Sequence, residues 1–553
     1  MKKTIFAISS AALLAVSMNS CTKKIDEAYA NPNADVRVPI ERILPPIIST
    51  MAANAAGHGP LNDIRFIGKF VQNFLFCNSG GEWDRMGNRP GTDNAASMWR
   101  IHFFDIGQNC NNMIKWGIEE KKWDYAGVGK AILAWSWLTL TDIHGEVISP
   151  REAFNTGALT FAYGTQEEVY AYVRTLCHES LNYLNTTGDN ASQQNLALGD
   201  QYFYNGDVNK WKLFVYGILA RSFHHLTNKA EYQPDSVIYY CNQSITTNAN
   251  NATVKFANTG ISGTANFFGP FRGNLGSTGL ATETAIRQSA FIANLLSGSN
   301  SAFPGVADPR AIYLIRRNTN GTFKGLTPNK GQTVITANDR PENFHGVSQA
   351  GGVVNTSPTN DNNCRYIFRN ASEFPVLTAS EIAFIKAEAL FRKEDKAGAL
   401  AAYKDGIRLN LEMLKDSYSA NVPPGELITT TTITNFLDPV QNPTVIPSDA
   451  NDITLTHIMM QKYIALYVHG AMETWVDMRR FHYTDNDPQT GLQVYRDFTP
   501  PSGSDLYPNN NGKLIYRLRP RFNSEYVWNL NELTRIGAVA LDYHTKEQWF
   551  SQQ

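Results

Sequence analysis

Three groupings of ionisable side chains in this sequence have the types that catalysis or metal binding uses. The first is Asp142, His144 and Glu146 in LTDIHGE. Its spacing fits neither the HExxH pair of a zinc hydrolase nor any other zinc pattern. It fits a helix end, with Gly145 as the C-cap residue and the polar groups closing local hydrogen bonds. The second is Glu473, Trp475, Asp477, Arg479 and Arg480, after Gly470. Glu473 and Asp477 are four apart and share a helix face. A glycosidase needs two carboxylates about 5–10 Å apart across a cleft. Adjacent arginines would keep both ionised, which is wrong for a general acid. The expectation is a buried, charge-paired network, with Glu381 and Glu388 of ASEIAFIKAEA also pairing with arginines between helices. The third is Asp485-Asn486-Asp487, which opens like a calcium loop but has Thr490 where the EF-hand glycine should stand. No G-x-S-x-G elbow, phosphate-binding loop or dinucleotide fingerprint is present. We assign no catalytic residue, no metal ligand set and no cofactor; structural Ca²⁺ in the Asn/Asp-rich loops is not indicated.

Aromatic side chains are the remaining chemistry. Most tryptophans fall inside helical periodicities and read as core. Two loop clusters do not. Gly80-Gly81-Glu82-Trp83-Asp84-Arg85 places a tryptophan between charged groups, and Asn266-Phe267-Phe268-Gly269-Pro270-Phe271-Arg272 combines three phenylalanines with an arginine. The C–H face of a sugar ring stacks on such rings, and its hydroxyls take Asp, Asn and Arg partners. Trp83, Asp84, Arg85, Phe267, Phe268, Phe271 and Arg272 are therefore the candidate ligand-binding residues. The alternative is that they anchor long loops to the scaffold.

The composition supports this direction. The chain has 553 residues, of which 18% are charged, 42% hydrophobic and 11% aromatic, with a net charge of −1. It has ample core material, so disorder is excluded. It lacks the cationic footprint that nucleic-acid binding needs.

Residues 1–20 read as a lipoprotein signal: Lys2 and Lys3, a short apolar stretch from Thr4 to Val16, then Met18-Asn19-Ser20-Cys21. Cys21 is the expected lipidation site, and residues 21–36 a flexible tether carrying Pro32. No later stretch is long and apolar enough to span a bilayer. The other cysteines, Cys77, Cys110, Cys177, Cys241 and Cys364, are widely spaced and suggest neither a zinc site nor a disulfide framework.

The elements that must position these groups are mostly helices. Apolar spacings of three and four predict them over 99–118, 124–141, 166–184, 208–227, 378–392, 395–414 and 453–470. Thr378 and Glu381 predict a capping box. Small residues Ala387, Ala389, Ala397 and Ala401 predict close approach within one tetratricopeptide-like hairpin. Between the helices, 78–97, 246–285, 297–377, 415–452 and 483–519 predict an ordered, loop-built region on a helical scaffold. Residues 37–553 are expected to form one domain.

In order along the chain, several stretches resemble the SusD/RagB outer-membrane lipoproteins, and more closely their starch-binding-associated branch. They are NPNADVRVPIERILPPII (31–48), WRIHFFDIGQNCNNMI (99–114), LTLTDIHGEVISPREAF (138–154) and GDVNKWKLFVYGILAR (206–221). ADPRAIYLI (307–315), FPVLTASEIAFIKAEALFR (374–392), ITLTHIMMQKYIALYVHGAMETWVDMRRF (453–481) and RLRPRFNSEYVWN (517–529) continue the match. Each motif is short, but the ordered set covers nearly the whole mature chain.

The resemblance implies a mainly α fold, with tetratricopeptide-like helical hairpins supporting a loop-rich binding face. It implies a protein without catalytic activity, lipid-anchored on the outer face of the outer membrane. Such a protein binds a glycan and passes it to a SusC-like TonB-dependent transporter barrel. A peptide or glycopeptide ligand is the alternative; a secreted glycoside hydrolase and a purely structural helical scaffold are the readings from other classes. The resemblance does not carry over binding residues, because the family's ligand-contacting loops have no motif that matches here residue by residue.

Overall fold

The computed structural model describes residues 37–155, 157–275, 285–346 and 360–553. The leader, Cys21 and the tether lie outside the described residues. The apolar periodicities fold as expected into long helices, introduced here in chain order: α1 (Ile40–Thr50), α2 (Pro60–Phe70), α3 (Gly107–Glu119), α4 (Trp123–His144), α5 (Gln166–Asn185), α6 (Val208–His224), α7 (Pro234–Gln243), α8 (Ala379–Arg392), α9 (Lys396–Ser417), α10 (Leu455–Ala465) and α11 (Ala471–Arg480). Local signals set their ends. Thr165 accepts from Glu168 N at 3.2 Å while the Glu168 carboxylate accepts from Thr165 N at 2.9 Å, a reciprocal cap on α5. Gly145 ends α4 at φ +81° with its N–H on Thr141 O at 2.7 Å.

Successive helices pack on one another, α3 on α4, α4 on α5, α5 on α6, α6 on α7, α7 on α8 and α8 on α9. This is the layered arrangement of helical hairpins. Within the α8–α9 pair the seam differs from the predicted one. Ala387 and Ala389 are buried, but Ala397 and Ala401 face solvent. The close approach is at Ala399, Ala402 and Gly406, where a Cβ on Gly406 would lie 2.8 Å from the Phe384 ring. The buried face of α9 is thus shifted from that reading by one to two residues. The capping box at Thr378 is half-formed. Its hydroxyl accepts from Glu381 N at 3.2 Å, but the Glu381 carboxylate turns instead to Arg221.

Strands are few and antiparallel: β1 (Phe74–Phe76), β2 (Val147–Ile148), β3 (Tyr163–Gly164), β4 (Ala252–Val254), β5 (Ile286–Gln288) and β6 (Phe374–Leu377), paired β1–β5, β2–β3 and β4–β6. They clamp the loops onto the helical layers. The five cysteines from Cys77 to Cys364 are free and buried. Among the described residues no helix is long and apolar enough to cross a membrane.

The expected charge network lies at the centre. Arg480 of α11 pairs with both oxygens of Glu388 of α8 at 2.8 Å and with Asp477 at 2.6 Å. Lys462 of α10 reaches Asp477 at 2.8 Å and Glu473 at 3.4 Å. Arg221 of α6 holds Glu381 of α8 at 2.5 and 2.8 Å. His225, at the end of α6, lies 3.1 Å from Glu473 and 3.3 Å from Asp142 of α4. Burial pushes the His225 imidazole down, but Glu473 and Asp142 outweigh it and raise its pKa to about 9. A raised histidine stabilises the fold fully below its unfolded pKa of about 6.5, and that contribution disappears as pH rises through about 9. Unfolding free energies of the wild type and His225→Gln, measured by denaturant titration, should therefore differ by on the order of 3 kcal/mol near pH 6 and converge towards pH 9.5.

Candidate functional site

The first predicted loop cluster is an anchor, and in the second Phe267, Phe268 and Arg272 are anchored while Phe271 is exposed. Trp83 is 1% exposed. Its ring lies 4.7 Å from Phe66 and 5.7 Å from Phe70, which in turn packs 5.3 Å from Trp475. The Asp84 carboxylate accepts from Phe76 N at 2.9 and 3.2 Å. Burial raises its pKa to about 7, opposed by Lys69 and the Phe76 N–H. Arg85 donates to Ser504 O and Leu506 O, both at 3.0 Å. These three residues staple the 78–97 loop to α2, β1 and the 503–506 segment. The sugar-stacking reading of Trp83 is corrected accordingly, since a ring enclosed by α2 has no face to offer.

Phe267 and Phe268 are buried too, with the Arg65 and Arg272 guanidiniums 5.2 and 5.4 Å from the Phe267 ring centre. Arg272 donates to Asn54 O at 3.1 Å. Phe271 is exposed, with its N–H on Asn370 Oδ1 at 3.1 Å. Neither cluster lines the cavity described next.

That cavity, of about 740 Å³ and open to solvent, is lined by residues from three segments: 99–109, 148–161 and 521–525. Sequence periodicity reads 99–118 as one regular helix. The structure interrupts it with a π-helical turn, Ile101–Ile106, between a short α-helical turn Ser97–Arg100 and α3. A second π-turn, Phe522–Tyr526, forms the facing wall. Each π-turn adds residues to a helical circuit and re-aims side chains, a frequent device at binding sites.

The floor is aromatic. The Phe103 ring lies 5.5 Å from Trp99 and 6.0 Å from Phe154. Phe154 can approach because residue 107 is glycine: a Cβ there would collide with the Phe154 ring. Phe154 itself sits at φ +66°, a left-handed conformation that costs about 1–2 kcal/mol for a residue with a side chain. Beneath the floor His102 is buried, with Nδ1 2.7 Å from Ser136 Oγ, and burial lowers its pKa to about 3, so it is neutral. Phe104 stands at the rim, 69% exposed, with the Arg100 guanidinium 5.6 Å from its ring centre.

The polar groups of the wall are largely matched. Arg100 Nε lies 3.8 Å from Asp105 Oδ2, and Arg521 lies 3.2 Å from Asp93. Burial raises the Asp105 pKa, with Arg100 opposing. Glu525 accepts from Tyr163 OH at 2.7 Å and from Asn529 Nδ2 at 3.3 Å. Arg100 Nε, Asp105 Oδ2 and Ser524 Oγ have no hydrogen-bond partner within the protein. An aromatic floor with a polar rim suits a ligand that is apolar on one face and rich in hydroxyls at its edges. No sequence signal separated Phe103 and Phe104 from the core aromatics, since both fall within the apolar spacing of 99–118.

Elsewhere, ligand atoms of His224, Glu388 and Asp477 lie within 4.8 Å of one another, as around a metal. The Arg480 guanidinium bonds both carboxylates, so a cation already neutralises that position. The Asp485–Asp487 stretch is likewise engaged: Asp487 accepts from Gln489 N at 2.9 Å and Asp485 lies 2.6 Å from His482 Nδ1.

Trp83→Ala tests the corrected assignment. It should cost about 3–5 kcal/mol in denaturant unfolding, as for a large buried aromatic. The variant that remains folded should bind ligand as the wild type does.

A family model described as "Starch-binding associating with outer membrane" matches residues 32–495. No curated protein matches. Among solved structures, a SusD/RagB family protein from Bacteroides thetaiotaomicron superposes with a TM-score of 0.66 at 20% identity, covering 93% of this chain and 99% of that one. A SusD homolog from Bacteroides fragilis gives 0.68 at 17% identity, covering 93% and 100%. A chitin-binding protein gives 0.61 at 16%, also covering 93% and 100%. These structures share the fold, and the family match spans most of the sequence: the chain belongs to the SusD-like family.

Proposed function

We propose that this protein is a non-catalytic glycan-capture lipoprotein that holds an uncharged oligosaccharide in the cavity between the two π-turns. The observation carrying this reading is the partly open rings of Phe103 and Phe154, backed by buried Trp99, beneath an exposed Phe104. Charge favours a neutral ligand over an acidic one. Arg100 faces Asp105 and Arg521 faces Asp93, while Glu525 adds a further negative charge. A uronic acid or sulfated sugar would meet three carboxylates, Asp93, Asp105 and Glu525, against two arginines there. The family's starch-binding description and the chitin-binding relative agree with a neutral glycan.

In this reading the ligand passes to a SusC-like TonB-dependent barrel. The protein sits on the outer face of the outer membrane, held by acyl chains on Cys21. Stacking on one or two rings with several hydrogen bonds corresponds to micromolar to millimolar affinity.

Calorimetry with malto-, cello- and N-acetylchito-oligosaccharides tests the site. Phe104→Ala should weaken the binding series by roughly threefold to tenfold. The affinity should change little between about 50 and 500 mM salt, because no net charge is exchanged. Binding of peptides instead of glycans, still dependent on Phe104, would replace the ligand class and leave the site standing. Turnover of any oligosaccharide by the purified protein would overturn the non-catalytic reading. For the anchor, Cys21→Ala should move the protein from the membrane fraction to the soluble one.

A further inference from the structure

A further open aromatic ring lies on a chain segment that lines the cavity. Trp528 is 66% exposed, although burying a tryptophan is worth several times more than burying most side chains. It follows Ser524 by four residues and Glu525 by three, and both of these line the cavity. The π-turn Phe522–Tyr526 runs directly into helical residues 527 and 528. Side chains four apart on such a turn stand on one face, so Trp528 projects from the wall that Ser524 helps to form.

The next residue fixes that wall to its neighbour. Asn529 Nδ2 donates to Phe161 O at 2.8 Å, and Asn529 Oδ1 accepts from Phe161 N at 3.2 Å. Phe161 and Ala158 both line the cavity, and Leu159 beside Ala158 is exposed. The two walls therefore each carry an exposed apolar side chain immediately next to their lining residues, one of them an open indole.

We infer that Trp528 is an outer subsite on which a sugar ring stacks after the chain has left the cavity. The site then takes a chain several units long, and length is read outside the cavity. This rests on the reading of the cavity as a glycan site. The occupant is assigned as the same glycan because Trp528 follows the lining residues Ser524 and Glu525 within one turn, and Asn529 ties that turn to Phe161 of a second lining segment.

The test compares a disaccharide and a hexasaccharide of whichever neutral series binds, malto-, cello- or N-acetylchito-, by calorimetry on the purified full-length chain. The hexasaccharide should bind roughly threefold to tenfold more tightly than the disaccharide. Trp528→Ala should abolish that difference while leaving disaccharide affinity unchanged, and Trp528→Phe should retain most of it. The side chain is exposed, so both variants should unfold at the wild-type denaturant concentration. Equal affinities for the two lengths, or a length preference that survives Trp528→Ala, would overturn the outer subsite and leave the cavity reading intact. The outer subsite would equally be overturned if Trp528→Ala impaired only co-purification with a transporter barrel. Failure of every series to bind, or binding indifferent to Phe104→Ala, would instead remove the cavity reading.

Discussion

The structure depends on one buried set of ion pairs. Asp142 on α4, Arg221 and His225 on or beside α6, Glu381 and Glu388 on α8, Lys462 on α10, and Glu473, Asp477 and Arg480 on α11 meet with almost no solvent. Five helices distant in sequence thereby contribute to one charge balance. Such a network adds little net free energy, because desolvation cancels much of the attraction. Its effect is on geometry. Any helix that slides or rotates leaves a charge buried without a partner, and that costs several kcal/mol. The hydrophobic layers alone tolerate more shift, since apolar contacts are non-directional.

The binding region inherits its position from this centre. Arg479, next to Arg480, donates to Asp142 O at 2.7 Å and to Tyr516 O at 2.8 Å. Arg517 bonds the carboxylate of Glu146 just beyond α4. Leu518 N donates to Ile143 O at 2.9 Å. The end of α4 thus holds the 516–525 segment, which supplies one wall of the cavity. The opposite wall, 99–109, packs on α4 through Trp99 against His144 and His102 against Trp137, at ring distances of 5.0 and 4.2 Å. The cavity is a gap between two segments that share one helix as their reference. The strain at Phe154 and the two irregular turns are concentrated there, where a rigid frame can hold them.

Much of the scaffold is legible in the residues themselves, for reasons that can be named. Helix α8 shows its N-cap in Thr378, and α4 shows its end in Gly145. The pairing of Glu381 and Glu388 with arginines follows from placing acids on the apolar face of a helix, where a lone charge would be intolerable. The binding residues are not legible in the same way. Trp83 has the neighbours of a sugar platform, Gly, Glu, Asp and Arg. Yet Asp84 serves the Phe76 N–H and Arg85 serves carbonyls at 504 and 506, more than 400 residues away in sequence. Local composition carries no information about such partners.

By itself the sequence determined the helical class, the bounds of α4, α5, α6, α8 and α9 to within a few residues, the buried charge pairs, and the family pattern spread along the chain. These depend on periodicity, capping and charge placement, which act over a few residues. Tertiary structure decided which aromatic rings are enclosed and which remain open. Phe104 within one π-turn and Trp528 just beyond the other stay exposed, and Trp83 is enclosed because α2 closes over it. Exposure is a property of packing between distant segments, and no local pattern encodes it.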